Sequence, residues 1–148
     1  MGIAVFFALL AGFVLYSHPL RARIGDERPS ALRDLRELRT ALIMYEFEHK
    51  TFPATLTALG PPQHGGVEKA EAVNFIDSKL ASGVHFGYVY HYFPTKSQRT
   101  GKFDAFMITA DPEGLEYGDK LHYFTDETAV IRVESNHPAT AVSPPIDW

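Results

Sequence analysis

The sequence predicts an α+β fold: a long N-terminal apolar helix continuing into an amphipathic helix packed on a four-stranded antiparallel sheet. Three observations predict it. Residues 3–16 read IAVFFALLAGFVLY, without a charge or a proline. Between residues 31 and 50 apolar side chains recur at spacings of three and four, the period of one helix face. From Val84 onward the period changes to two, the period of a strand. The same patterning divides the chain into three parts. Residues 1–28 form a hydrophobic transmembrane or assembly helix with its junction, 29–134 a globular head, and 135–148 a Pro-rich extended tail.

The apolar stretch comes first. Fourteen helical residues rise about 21 Å, short of the ~30 Å hydrocarbon core of a bilayer, and the flanking Met1, Gly2, Ser17 and His18 bring the segment near the lower limit of a span. A cleaved signal peptide would carry a basic start and a small-x-small cleavage site, and neither is present. A helix apolar on every face has to be covered on every face, which a small head cannot do. Ile3, Val5, Phe6, Phe7, Leu9, Leu10, Phe13, Val14, Leu15 and Tyr16 are therefore the candidate membrane or assembly surface.

Pro19 is expected to kink or interrupt the helix, and Gly25 with Pro29 marks a second soft point. Ser30 is the expected N-cap of the next helix. Ala31, Leu35, Leu38, Leu42, Tyr45 and His49 make its apolar stripe, while Arg33, Asp34, Arg36, Glu37, Arg39, Glu46 and Glu48 fill the other faces.

Residues 51–83 read as connection, punctuated by Pro53, Gly60-Pro61-Pro62 and Gly65-Gly66, with a short helix expected over 70–81. Val84, Phe86, Tyr88, Tyr90 and Tyr92 alternate with His85, Gly87, Val89 and His91, which reads as one strand with His85 and His91 on a shared face. Further strands are expected over 103–110, 121–125 and 130–133, joined by polar loops and a tight turn at 126–129. Short connections between consecutive strands favour an antiparallel meander.

Composition bounds the chemistry. A net charge of −4 without a basic tract gives nucleic acid nothing to bind. The absence of cysteine rules out a disulfide scaffold and a thiolate metal site. The sequence holds no HExxH, no GxSxG elbow and no phosphate-binding GxxxxGK[ST], so the reading is a protein without a catalytic site. The one loop rich in hard oxygen ligands carries Asp111, Glu113, Glu116 and Asp119. Calcium is the cation that suits such a loop, although the spacing is not that of an EF-hand, and a solvated acidic loop is the plainer reading.

Several strings, in order, resemble type IV pilins and type II secretion pseudopilins. They are Leu20-Arg21-Ala22-Arg23-Ile24 followed by Ser30-Ala31-Leu32-Arg33-Asp34-Leu35-Arg36, then YEFEHKTFPATLTALG at 45–60, Ile76-Asp77-Ser78-Lys79-Leu80, Gly87-Tyr88-Val89-Tyr90-His91-Tyr92, FDAFMITADP at 103–112, Tyr123-Phe124-Thr125-Asp126-Glu127, and the tail Pro138 with Pro144-Pro145. The resemblance covers most of the chain. It implies a bacterial structural subunit of a pilus-like filament or secretion pseudopilus. Its partners would be copies of itself or other pilin-like subunits, with the inner membrane as its station before assembly. The head would lie outside the cytoplasm, or the subunit in a periplasmic or extracellular filament. The resemblance also raises the case for calcium in the 111–119 loop. The alternative is a single-pass, membrane-anchored accessory subunit whose head binds a membrane complex.

Two positions depart from the family. The fifth residue is Val5, where pilins carry a glutamate that pairs with a neighbour's N-terminus. Ala129 stands where glycine is usual in the last turn, and a left-handed backbone there would cost alanine about 1 kcal/mol.

Overall fold

A computed structural model describes residues 18–62, 73–114 and 120–146, with side chains from Ser30 onward. The elements follow in order: α1 (His18–His49), a 3-10 turn (Leu56–Leu59), α2 (Ser78–Ala81), β1 (Val84–His85), β2 (Tyr88–Lys96), β3 (Phe103–Pro112), β4 (Leu121–Asp126) and β5 (Arg132–Ser135). The five strands form one antiparallel sheet in the order β1-β2-β3-β4-β5.

The expected four-stranded pilin-like sheet under a long apolar helix is corrected by this architecture, which has five strands and more β-structure. The extra strand comes from the alternating run at 84–92. That run is not one strand but a tight hairpin. Phe86 and Gly87 both have positive φ (45° and 77°), and His85 pairs with Tyr88 across them. Two central residues with φ > 0 make the type I′ turn, whose twist suits a two-residue hairpin. Gly87 takes that conformation freely, and Phe86 takes it under strain.

The membrane reading is corrected too. Among the described residues no helix is long and apolar enough to cross a membrane. Among the described residues this finding stands against the transmembrane, single-pass helix. The helix that is described, α1, is studded with Arg and Glu. The candidate surface from Ile3 to Tyr16 lies outside the described residues. Gly25 and Pro29, expected as soft points, lie inside α1 and do not divide it, and Ser30 is an interior residue rather than a cap. The helix expected over 70–81 is the single turn Ser78–Ala81, capped by Asp77, whose carboxylate accepts from the Lys79 and Leu80 amides.

One face of α1 meets one face of the sheet. Ala31, Leu35, Leu38, Ala41, Leu42 and Tyr45 are buried against Tyr88, Tyr90, Phe106, Ile108, Ala110 and Tyr123. The register puts these strand residues on one face, since Tyr90 pairs with Ala110 and Ala110 with Tyr123. Leu56 and Leu59 of the 3-10 turn, with Ile76 and Leu80, close the side of the core. Each large side chain so buried contributes about 1.5–3 kcal/mol. His49, expected in the stripe, is exposed beyond the end of the sheet contact, with its ring 4.2 Å from that of Tyr45. The tail is part of the fold rather than a free extension. It runs back along β5, where Val133 donates to the Pro144 carbonyl and Ile146 to that of Ile131, and Ala139 and Ser143 are buried.

Ala129 does adopt the left-handed backbone, with φ 68°. Asp126 organises the turn by accepting from the Thr128 amide and hydroxyl. Arg39 of α1 donates to the Ala129 carbonyl at 2.9 Å, tying the strained residue to the helix.

Two outcomes follow for chemical denaturation of the full chain. Leu42→Ala, at a fully buried site, is expected to cost about 2–5 kcal/mol. Ala129→Gly is expected to stabilise by roughly 1 kcal/mol, because glycine adopts this φ without the Cβ clash. An unchanged unfolding midpoint in Leu42→Ala contradicts the helix–sheet core, and a destabilised Ala129→Gly contradicts the strain.

Candidate functional site

The densest polar arrangement lies where α1 crosses the β1–β2 hairpin. Asp34 is fully buried, although its neighbours in sequence marked it for the solvent face. Its Oδ2 accepts two bonds, from the Tyr90 hydroxyl at 2.9 Å and from His85 Nδ1 at 2.8 Å. Its Oδ1 accepts no hydrogen bond, and the Arg33 guanidinium stands 3.5 Å from it. Arg33 in turn lies over the Phe86 ring, 5.1 Å from the centroid. On the far side of the imidazole, His85 Nε2 faces Asp77 Oδ2 at 3.8 Å. A buried carboxylate is costly unless paired and hydrogen-bonded. Here α1, β1 and β2 each supply a partner.

No sequence pattern marks this cluster, because the hairpin decides it. In a single strand, His85 would point away from Tyr88 and Tyr90. Folding back at Phe86–Gly87 pairs His85 with Tyr88 and turns it onto the Tyr88 face, under the helix. His91, expected to share its face, lies on the opposite, open face of the sheet, exposed and stacked on Phe93. The combination of an imidazole, a phenol and two carboxylates can hold and relay a proton, and it locks the helix to the hairpin.

The predicted calcium ligands are only partly placed. Asp111 belongs to β3, on the open face, and both its oxygens are engaged: His122 Nδ1 donates to one at 2.6 Å and the Thr109 hydroxyl to the other at 3.1 Å. Glu113 follows it, exposed. The Lys120 ammonium donates to the carbonyls of Gly114 (2.9 Å) and Glu113 (3.5 Å), so the lysine already places a cation at this backbone. Glu116 and Asp119 lie outside the described residues. Among the described residues no three His, Asp or Glu side chains come together as metal ligands.

Exposed apolar side chains among the described residues include those on α1 and on the open sheet face, besides Val84, Phe86, Val130 and Val142. On α1, Ile43, Met44 and Phe47 are 53%, 45% and 72% exposed. Beside them a groove of about 530 Å³ runs between α1 and the 74–75 segment, lined by Arg33, Arg36, Glu37, Thr40, Ala41, Met44, Asn74 and Phe75. On the open sheet face, Phe93 and Met107 are cross-strand partners, both exposed.

The tyrosines give the site a pH signature. Burial, and then the Asp34 charge, push the Tyr90 hydroxyl well above its ordinary value of 10.0, and burial does the same for Tyr92. A group raised on folding contributes stability that is complete below its unfolded value and lost as pH rises toward the folded one. Stability is therefore expected to fall above pH about 10, and to fall less in Tyr90→Phe. At pH 7 that substitution is expected to cost about 1.5–3 kcal/mol, the worth of a hydrogen bond to a charged group. Denaturant titration at pH 7 and at alkaline pH checks both, and equal alkaline losses in the two proteins contradict the burial of this hydroxyl. Asp77 acts at the acid end. The Leu80 amide bond holds its carboxylate below the ordinary 3.8. Its contribution is present above that value and lost as pH falls through the lower folded one.

No protein-family model, no curated protein and no solved structure matches this chain.

Proposed function

We propose that this chain is a structural, non-catalytic subunit that joins copies of itself or related subunits in a type IV pilus-like filament or type II secretion pseudopilus outside the cytoplasm. The observation that carries the reading is the outer face of α1. A helix already packed on a sheet by one face still exposes Ile43, Met44 and Phe47 on another. Grouped exposed apolar side chains of this kind mark protein contact surfaces. Two features of the sequence support the same reading. The order of pilin-like strings runs through most of the chain. The uncharged sequence 3–16 supplies further apolar surface for joining subunits. The groove beside Met44 favours a second reading, an accessory subunit that docks on a partner complex.

Sedimentation and negative-stain electron microscopy of the full chain test the proposal. Concentration-dependent assembly is expected, and Phe47→Glu is expected to reduce it at an unchanged melting temperature. Assembly that is indifferent to Phe47→Glu contradicts the role of this face. A full chain that stays monomeric at every concentration contradicts self-assembly.

A further inference from the structure

We propose that His85 is a proton-operated clasp between α1 and α2. Its imidazole stands between two carboxylates supplied by different elements, Asp34 from α1 and Asp77 from the cap of α2. The ring is only 12% exposed and the Asp34 side chain is fully buried, so water substitutes poorly at Asp34, while the Asp77 side chain is 51% exposed and meets water on its outer side. Nδ1 donates to Asp34 Oδ2 at 2.8 Å in both charge states. The other nitrogen decides the clasp. In the neutral ring Nε2 turns a lone pair toward Asp77 Oδ2, 3.8 Å away, and the two acceptors repel. In the imidazolium Nε2 carries a proton and a share of positive charge, and the same approach becomes a charge-assisted contact. Asp77 is free to answer with this oxygen because its other one, Oδ1, is committed to the Lys79 and Leu80 amides.

The charged and titratable groups facing the ring come from each element around it. From α1 there are Asp34 and Arg33, from α2 Asp77 and Lys79, and from β2 the Tyr90 hydroxyl. The Phe86 ring stacks beside the imidazole at 4.0 Å. Both cations are already directed at the carboxylates: Arg33 stands at Asp34 Oδ1, and Lys79 acts on Asp77. The two groups directly at the imidazole nitrogens are therefore anions.

The clasp has a mechanical load. Asp77 ends the segment whose Phe75 and Ile76 amides donate to the Leu59 carbonyl, and whose Asn74 and Phe75 form one wall of the groove beside α1. Protonation of His85 draws that wall to the helix, and loss of the proton releases it.

Thermal melts and amide hydrogen exchange of the full chain between pH 5.5 and 8 test this in wild type, Asp77→Asn and His85→Gln. Asparagine caps a helix as well as aspartate does, so Asp77→Asn keeps α2 while removing the charge. The remaining histidines are the same in all three proteins, so the differences isolate His85. The wild-type melting midpoint is expected to fall as pH rises. Its Leu80 and Ala81 amides are expected to exchange about three- to tenfold faster at the upper pH, beyond the intrinsic base-catalysed rise. The exchange effect is expected to shrink in Asp77→Asn and to vanish in His85→Gln, and the slope of the melting midpoint is expected to shrink in both, to what the other histidines contribute. A pH slope in Asp77→Asn equal to that of wild type overturns the clasp, and it does so even if His85→Gln fails to fold.

Discussion

The buried carboxylate of Asp34 is the constraint around which this fold is arranged. It sits with no solvent exposure near the N-terminal end of the face that α1 turns to the sheet, which runs from Ala31 to Tyr45. An ion in that place is tolerated only while its partners hold station. Tyr90 and His85 come from two strands joined by a two-residue turn, so the carboxylate fixes the helix against the hairpin as a unit. Apolar packing from Ala31 to Tyr45 provides the energy of association. It is less selective about register, because a stripe of leucines can slide by a turn. The polar pin cannot, since a one-turn shift would strand both donors.

Much of this was legible in the sequence and some was not, for definite reasons. The helix stripe followed from its period, because Ala31, Leu35, Leu38, Leu42 and Tyr45 face a core and have no competing signal. The strands expected over 103–110 and 121–125, between polar loops, are found as Phe103–Pro112 and Leu121–Asp126. The hairpin was hidden because its alternation is perfect through the turn. Phe86 is a poor residue for φ > 0, so only Gly87 announced a reversal. As a single strand, the run would put His85 on the face away from Tyr88 and Tyr90, and only the hairpin brings it to the site. Asp34 was hidden for a related reason. A carboxylate between arginines on a helix reads as solvated surface unless its partners are known, and here they lie 51 and 56 residues away.

The sheet also shows how its margins are kept from uncontrolled pairing. β1 covers only the first two residues of β2, and the rest of that margin carries Pro94, which lacks an amide donor, and Lys96. Proline and lysine are common guards of an edge strand. At the opposite margin the tail lies along β5. Arg132 donates to the Ser143 carbonyl, and the Ser143 hydroxyl donates to Glu134, which brings the tail onto the open face. With both edges guarded, the apolar side chains left exposed on α1 and at Phe93–Met107 are among the surfaces available for assembly. The groove wall beside α1 is held through Asp77, so the polar pin and the contact surface are mechanically linked.

The most direct test of this account is a double-mutant cycle on the full chain between Asp34→Asn and His85→Gln, read by denaturant unfolding at pH 6. If the carboxylate and the imidazole act as one unit, the two losses are non-additive, with a coupling of about 1–3 kcal/mol. Losses that add to within about 0.3–0.5 kcal/mol would mean that the two side chains are energetically independent, and the pin between helix and hairpin would be contradicted.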